Sequence, residues 1–192
     1  EEENYVEGKL NGENKLYLSN GSLDKILHYK DNELDSTYDM FSEKNQLILR
    51  FNYKDGYVKS YQYEEKPGIF CNPIPIPGGN GKVLAKYPNG QQSAVLTFAD
   101  NNLQGERKLY YPDGKLYTDG NRLGGFNDGS FKCFYPTGTI WKEENYVLGN
   151  LHGLCKYYYT NGKLEKEENY YADELHGVCR YYDEQGKLKQ TR

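Results

Sequence analysis

The chain has 192 residues, 36% of them hydrophobic and 27% charged, with 24 basic and 28 acidic side chains giving a net charge of −4 at pH 7. The two signs are interspersed, so no basic face stands ready for a phosphate backbone and nucleic acid is not an expected partner. No run of about 18 apolar residues occurs, so no transmembrane segment is expected.

Residues 1–11 read as half of a repeating unit. Glu2, Glu3, Asn4, Tyr5, Val6, Gly8 and Leu10 match positions that return in E-E-N-Y-V-L-G-N-L-H-G at 143–153 and E-E-N-Y-Y-A-D-E-L-H-G at 167–177. The sequence opens in mid-repeat and without a methionine. It reads as a trimmed or processed start, which leaves the compartment, cytoplasmic or exported, open. Full copies begin near Gly12, Ser36, Ser60, Gly81, Gly105, Gly129, Gly153 and Gly177, 24 residues apart except for one step of 21. A fixed period of this size is the mark of a repeat architecture, so residues 1–192 are expected to form a single array.

Each copy carries hairpin punctuation. Pro112-Asp113-Gly114, with Pro88 and Pro136 repeating the device, fits a type I turn closed by a glycine in the left-handed region. Short runs rich in Tyr, Phe, Leu and Val flank each turn and suit strands, about two per repeat. The expected fold class is therefore all-β. Tandem 24-residue β-hairpins form an elongated, largely single-layer antiparallel sheet of roughly sixteen strands with essentially no helix.

Copies one and two are eroded versions of the pattern. Copy three runs into I-F-C-N-P-I-P-I-P-G-G-N at residues 69–80, where Pro73, Pro75 and Pro77 cannot donate ladder hydrogen bonds. This interruption reads as an extended loop or sheet edge that bends or weakens the array. Its functional reading is a partner-binding loop with Phe70, Ile74 and Ile76 exposed. Residues 119–129, D-G-N-R-L-G-G-F-N-D-G, place glycines where E-E-N-Y stands elsewhere and predict a flexible or bulged strand.

In the well-formed copies Lys108, Lys132, Lys156 and Arg180 share one position. Tyr110, Phe134, Tyr158 and Tyr182 lie two residues further along the same face. These four aromatic residues are candidate partner contacts, with a core role as the competing reading. Lys166, Glu143, Glu144, Glu167 and Glu168 read as a solvated rim.

The G-x-x-K-x-Y-Y-x-x-G-K-L core followed by E-E-N-Y and L-H-G resembles the variant MORN repeat found in tandem in many bacterial proteins. The resemblance is strongest from Gly105 onward. It implies successive hairpins and a role in protein contact or membrane-associated scaffolding. Some members carry the label of antitoxin components of toxin–antitoxin systems. The resemblance supplies no catalytic residues.

No metal or cofactor is expected. His152 and His176 each precede a cysteine by three, but equivalent residues two strands apart lie about 9.5 Å from each other. The same spacing keeps Cys155 and Cys179 from bridging, so they read as small apolar fillers, as do Cys71 and Cys133. The calcium-loop-like stretch at Asp119 has Ser130 where a bidentate carboxylate is needed, and no nucleophile sits in a catalytic context. Two function classes remain: a non-enzymatic protein-interaction or scaffold module, antitoxin-like in one form, and a carbohydrate or cell-surface binder stacking sugars on its aromatic columns. A protein partner is the first expectation and a glycan the alternative.

Overall fold

The 24-residue period becomes a period of strands. A computed structural model describes residues 1–18 and 20–192. It contains only strands, turns and a single 3-10 turn at Pro77–Gly79 among the described residues. The strands are β1 (Tyr5–Val6), β2 (Lys9–Leu10), β3 (Gly12–Tyr17), β4 (Leu23–Lys30), β5 (Glu33–Phe41), β6 (Leu47–Lys54), β7 (Tyr57–Gln62), β8 (Glu64–Lys66), β9 (Ile69–Phe70), β10 (Ile74–Pro75), β11 (Gly81–Lys86) and β12 (Gln92–Ala99), followed by β13 (Asn102–Tyr110), β14 (Leu116–Leu123), β15 (Phe126–Phe134), β16 (Ile140–Val147), β17 (Asn150–Leu151), β18 (Gly153–Tyr158), β19 (Leu164–Tyr171), β20 (Glu174–Leu175), β21 (Arg180–Tyr182) and β22 (Leu188–Thr191). All pairings between them are antiparallel. The all-β hairpin expectation holds.

Two kinds of turn alternate. At one end of the hairpins the expected type I turn closes: the Tyr135 amide donates to the Thr139 carbonyl at 2.8 Å, the Gly138 amide donates back to Tyr135 at 2.8 Å, and Gly138 sits at φ 92. The strand register slips by one residue just before this turn, between Cys133 and Phe134 and again between Tyr157 and Tyr158. At the other end two-residue turns with positive φ at both centres reverse the chain, at Asp31–Asn32, Asp55–Gly56, Gly124–Gly125, Leu148–Gly149 and Ala172–Asp173. Their twist matches that of the flanking strands.

The chain divides into two compact units, residues 1–102 with 112–114, and residues 103–111 with 115–192. In the first, strands run in the order β10-β7-β6-β5-β4-β3. The proline stretch at 69–80 ends this sheet: β10 adds only Ile74 and Pro75 against Tyr61 and Ser60, at the edge a proline tolerates. The hairpin β11–β12 then starts a second layer that packs on β6. Phe51 meets Phe98 edge-on at 5.3 Å, and the Ser93 hydroxyl donates to the Ile48 carbonyl at 2.7 Å. Leu49, Val83, Ala85, Ala94 and Leu96 are fully buried there. This unit thus has a two-layer core where a largely single-layer sheet was expected, because its apolar residues are gathered in a few strands and not spread evenly.

The second unit is a hairpin sheet with strand order β13-β14-β15-β16-β18-β19-β21-β22. Its buried side chains come from one face of the sheet: Leu109, Thr118, Cys133, Glu144, Cys155, Glu168 and Cys179. The four cysteines of the chain are all buried free thiols. The glycine-rich stretch, residues 119–129, runs from the end of β14 through the Gly124–Gly125 turn into β15, and the register between the two strands shifts between Gly120 and Arg122, the bulge expected there. Gly120 stands opposite Phe131, and a Cβ there would lie 2.5 Å from the ring. The neighbouring copies have Glu144 and Cys155 at these two places, so glycine and phenylalanine exchange volume with each other. Gly120→Ala should destabilise by about 1–3 kcal/mol through overpacking. Urea unfolding of Gly120→Ala combined with Phe131→Cys should recover most of that loss, and a purely additive double mutant would contradict the account.

A candidate partner-binding face

Alternation along the strands of the second unit sorts its charged residues onto opposite faces. Cross-strand partners place seven of them in one row across the sheet: Lys108 opposite Asp119, Asp119 opposite Lys132, Lys132 opposite Glu143, Glu143 opposite Lys156, Lys156 opposite Glu167, and Glu167 opposite Arg180. Sign alternates at every step. Lys132 Nζ lies 2.9 Å from Glu143, and Arg180 lies 2.7 Å from Glu167. Beside this row stand the four aromatic residues predicted as partner contacts, Tyr110, Phe134, Tyr158 and Tyr182, all half-buried. The Tyr158 hydroxyl donates to Glu143 at 2.8 Å and the Tyr182 hydroxyl to Glu167 at 3.3 Å, which ties the two rows together. Burial, with Glu143 close by, pushes the Tyr158 hydroxyl up to about 12, so it remains a donor at any physiological pH.

The opposite face is drier. Glu144 and Glu168 are only 4% exposed, so their assignment to a solvated rim is corrected. In E-E the two carboxylates point to opposite sides, and the second enters the face lined by tyrosine and cysteine. Glu144 accepts from Tyr146 at 2.9 Å and Tyr157 at 3.0 Å and pairs with Lys142 at 2.8 Å. Glu168 repeats the pattern with Tyr170 at 3.0 Å, Tyr181 at 2.8 Å and Lys166 at 2.8 Å. Burial pushes the Tyr146, Tyr157 and Tyr170 hydroxyls up, reinforced by these carboxylates. A third tyrosine column, just before the turn, links each copy to the next. Tyr111, Tyr135 and Tyr159 donate to the carbonyls of Phe134, Tyr158 and Tyr182 at 2.7, 2.7 and 2.8 Å. The Y-Y doublet at these positions is the sequence signal for it.

The carboxylates give an acid dependence with a definite sign. Burial raises the Glu168 carboxyl, but the Lys166 ammonium and the Tyr181 and Tyr170 hydroxyls outweigh it, and the net shift is downward. Glu143 is lowered chiefly by Lys132. Groups depressed in the folded state stabilise it above their unfolded value of about 4.3 and lose that contribution as pH falls through the folded value. Thermal unfolding should therefore be insensitive to pH near neutrality and shift to lower temperature in acid. Glu168→Gln should blunt the acid shift, and an unchanged acid profile in that variant would contradict it.

The proline-interruption residues fall in the first unit, whereas this face belongs to the second. Ile76 is 3% exposed and its amide donates to the Lys59 carbonyl at 2.9 Å. The expectation that it is exposed is corrected: the loop is fastened along β7 and turns Ile76 inward. Phe70 lies 4.3 Å under the Arg50 guanidinium, which forks onto Asp39 with both bonds at 2.6 Å. Ile74 is half-buried, and Ile69 is the exposed apolar residue of the segment.

Among known families the MORN repeat variant matches at residues 10–31, 103–121, 127–147, 151–170 and 175–192, together more than half of the chain. The chain belongs to the MORN repeat variant family. No curated protein matches it. The MORN-variant segments from residue 103 onward coincide with the hairpins that carry the alternating row, the aromatic row and the buried glutamates. Residues 32–102, outside the matched segments, contain β6, β11 and β12 and so hold the two-layer core. In the MORN-variant hairpins from residue 103 onward the residues buried from copy to copy are cysteines and glutamates, with Leu109 and Thr118 in the first of them, and strands contact their ladder neighbours without a second layer within the unit. His152 and His176 flank the exposed Tyr171 ring at 5.1 and 6.0 Å, each tilted by 51° to it. Among the described residues no helix is long and apolar enough to cross a membrane.

Proposed function

We propose that this chain is a non-enzymatic protein-interaction module that holds its partner on the face of the second unit bearing Tyr110, Phe134, Tyr158 and Tyr182 and the alternating charge row. The observation carrying the reading is that row: seven charges in register, flanked by half-exposed aromatic rings, on a sheet face with no second layer in its unit. Tyrosine supplies contact area at low conformational cost, and ordered charges of alternating sign fix the register of whatever docks. Solenoid-like arrays suit such extended contact. An antitoxin-like role, covering a toxic partner's working surface, is one form of it.

Lysines on the two faces provide an internal control. Lys132 and Lys156 stand on the proposed face, and Lys142 and Lys166 on the other. Lysine-reactive footprinting of the chain with a captured partner should protect the first pair and leave the second unchanged. Protection confined to Lys142 and Lys166 would sink the assignment of the face. Tight binding of a defined glycan with no protein captured would replace the reading with the carbohydrate one.

A further inference from the structure

Within the alternating row one cation is passed over. Glu143 is taken by Lys132 and Tyr158, and Glu167 by Arg180 and Tyr182. Lys156 stands opposite both carboxylates, yet no carboxylate oxygen among the described residues lies within 4.0 Å of its Nζ. A shallow groove opens at that point across β15, β16 and β18, lined by Ser130, Lys132, Glu143, Asn145, Leu154 and Lys156. Its apolar wall is Leu154, which is exposed, and Asn145 is held against it by donating to the Leu154 carbonyl at 2.7 Å.

Resting on the interaction reading above, we infer that this groove is an acceptor site for an acidic residue of an extended peptide, with Lys156 as the charge it meets. Leu154, Lys156 and Tyr158 follow one another at alternate positions of β18, so along the strand the face offers an apolar contact, a cation and an aromatic ring at steps of about 6.8 Å. An extended segment displays its own same-side residues at the same interval, so an apolar residue, then an acidic one, then an aromatic one match the three in register. Lys156 supplies three donors on a flexible stem, and the committed neighbours Glu143 and Glu167 repel a carboxylate placed anywhere but over it. The contacted charge is thus single and positioned, which favours a patterned peptide over a uniformly charged polymer.

The test is an NMR titration of the full chain with the capped peptide Thr-Leu-Thr-Glu-Thr-Tyr and with its Glu-to-Gln version. Shift changes should cluster at Ser130, Asn145, Leu154 and Lys156, and the uncharged peptide should bind roughly threefold more weakly at low salt, the range that exposed ion pairs reach. Lys156→Gln should remove that difference and Lys156→Arg should retain it; both sit at a partly exposed position, and unchanged circular dichroism confirms folding. Equal affinity for the two peptides, or shifts elsewhere, overturns the inference. So do groove shifts with oligogalacturonate but not with the peptide, which assign the site to acidic sugars. Partner capture that persists undiminished in Lys156→Gln overturns the groove site while leaving the interaction reading standing.

Discussion

Phe51→Ala should cost about 3–5 kcal/mol, the largest single effect expected in this chain. The ring is 1% exposed and meets Phe98 of the second layer edge-on at 5.3 Å and Tyr53 of its own strand at 6.3 Å. Truncation removes the apolar burial and leaves a cavity between two strand layers that hydrogen bonding on each side prevents from collapsing. Urea unfolding gives the free energy, and hydrogen exchange locates it. Protection should fall first in β5, β6, β11 and β12. A loss below about 1 kcal/mol would mean that the layers do not depend on this ring.

Two adjacent glutamates should behave unlike each other. Glu144→Ala should destabilise by roughly 3 kcal/mol, because it leaves Lys142 and the hydroxyls of Tyr146 and Tyr157 without the acceptor they converge on. Glu143→Ala, one residue earlier and facing the other way, should cost less than about 1 kcal/mol, since its side chain and that of Lys132 remain in contact with water. Chemical denaturation of the two single variants decides it. Equal costs would show that the buried cluster adds nothing beyond a surface ion pair.

That pair also marks where sequence reading stops. The spacing of glycines and the Pro-Asp-Gly turns were enough to place the hairpins, because φ > 0 and a missing amide hydrogen are properties of single residues. The lysine and tyrosine columns were legible for the same reason, since strand alternation follows from backbone geometry alone. The two-residue turns at Leu148–Gly149 and Ala172–Asp173 escaped notice because their centres include leucine and alanine, which do not announce the positive φ they adopt. Glutamate is seldom buried, so the sequence points Glu144 to solvent; the Lys142 ammonium and Tyr146 hydroxyl of its own strand, joined by the Tyr157 hydroxyl from β18, make its burial favourable.

The sequence by itself determined the strand period, the glycine-closed type I turns and the repeat-to-repeat columns, all of which depend on contacts within about one repeat. Tertiary structure alone decided that the chain doubles into two layers at β6, β11 and β12, that Ile76 is buried along β7, and that Lys156 is the member of its row with no carboxylate among the described residues within 4.0 Å. Each of these depends on which side chains meet across residues distant in sequence or on how several charges divide a shared set of partners. No local propensity encodes that division: Glu143 could pair with either flanking lysine, and packing around Tyr158 and Lys132 settles which one it takes.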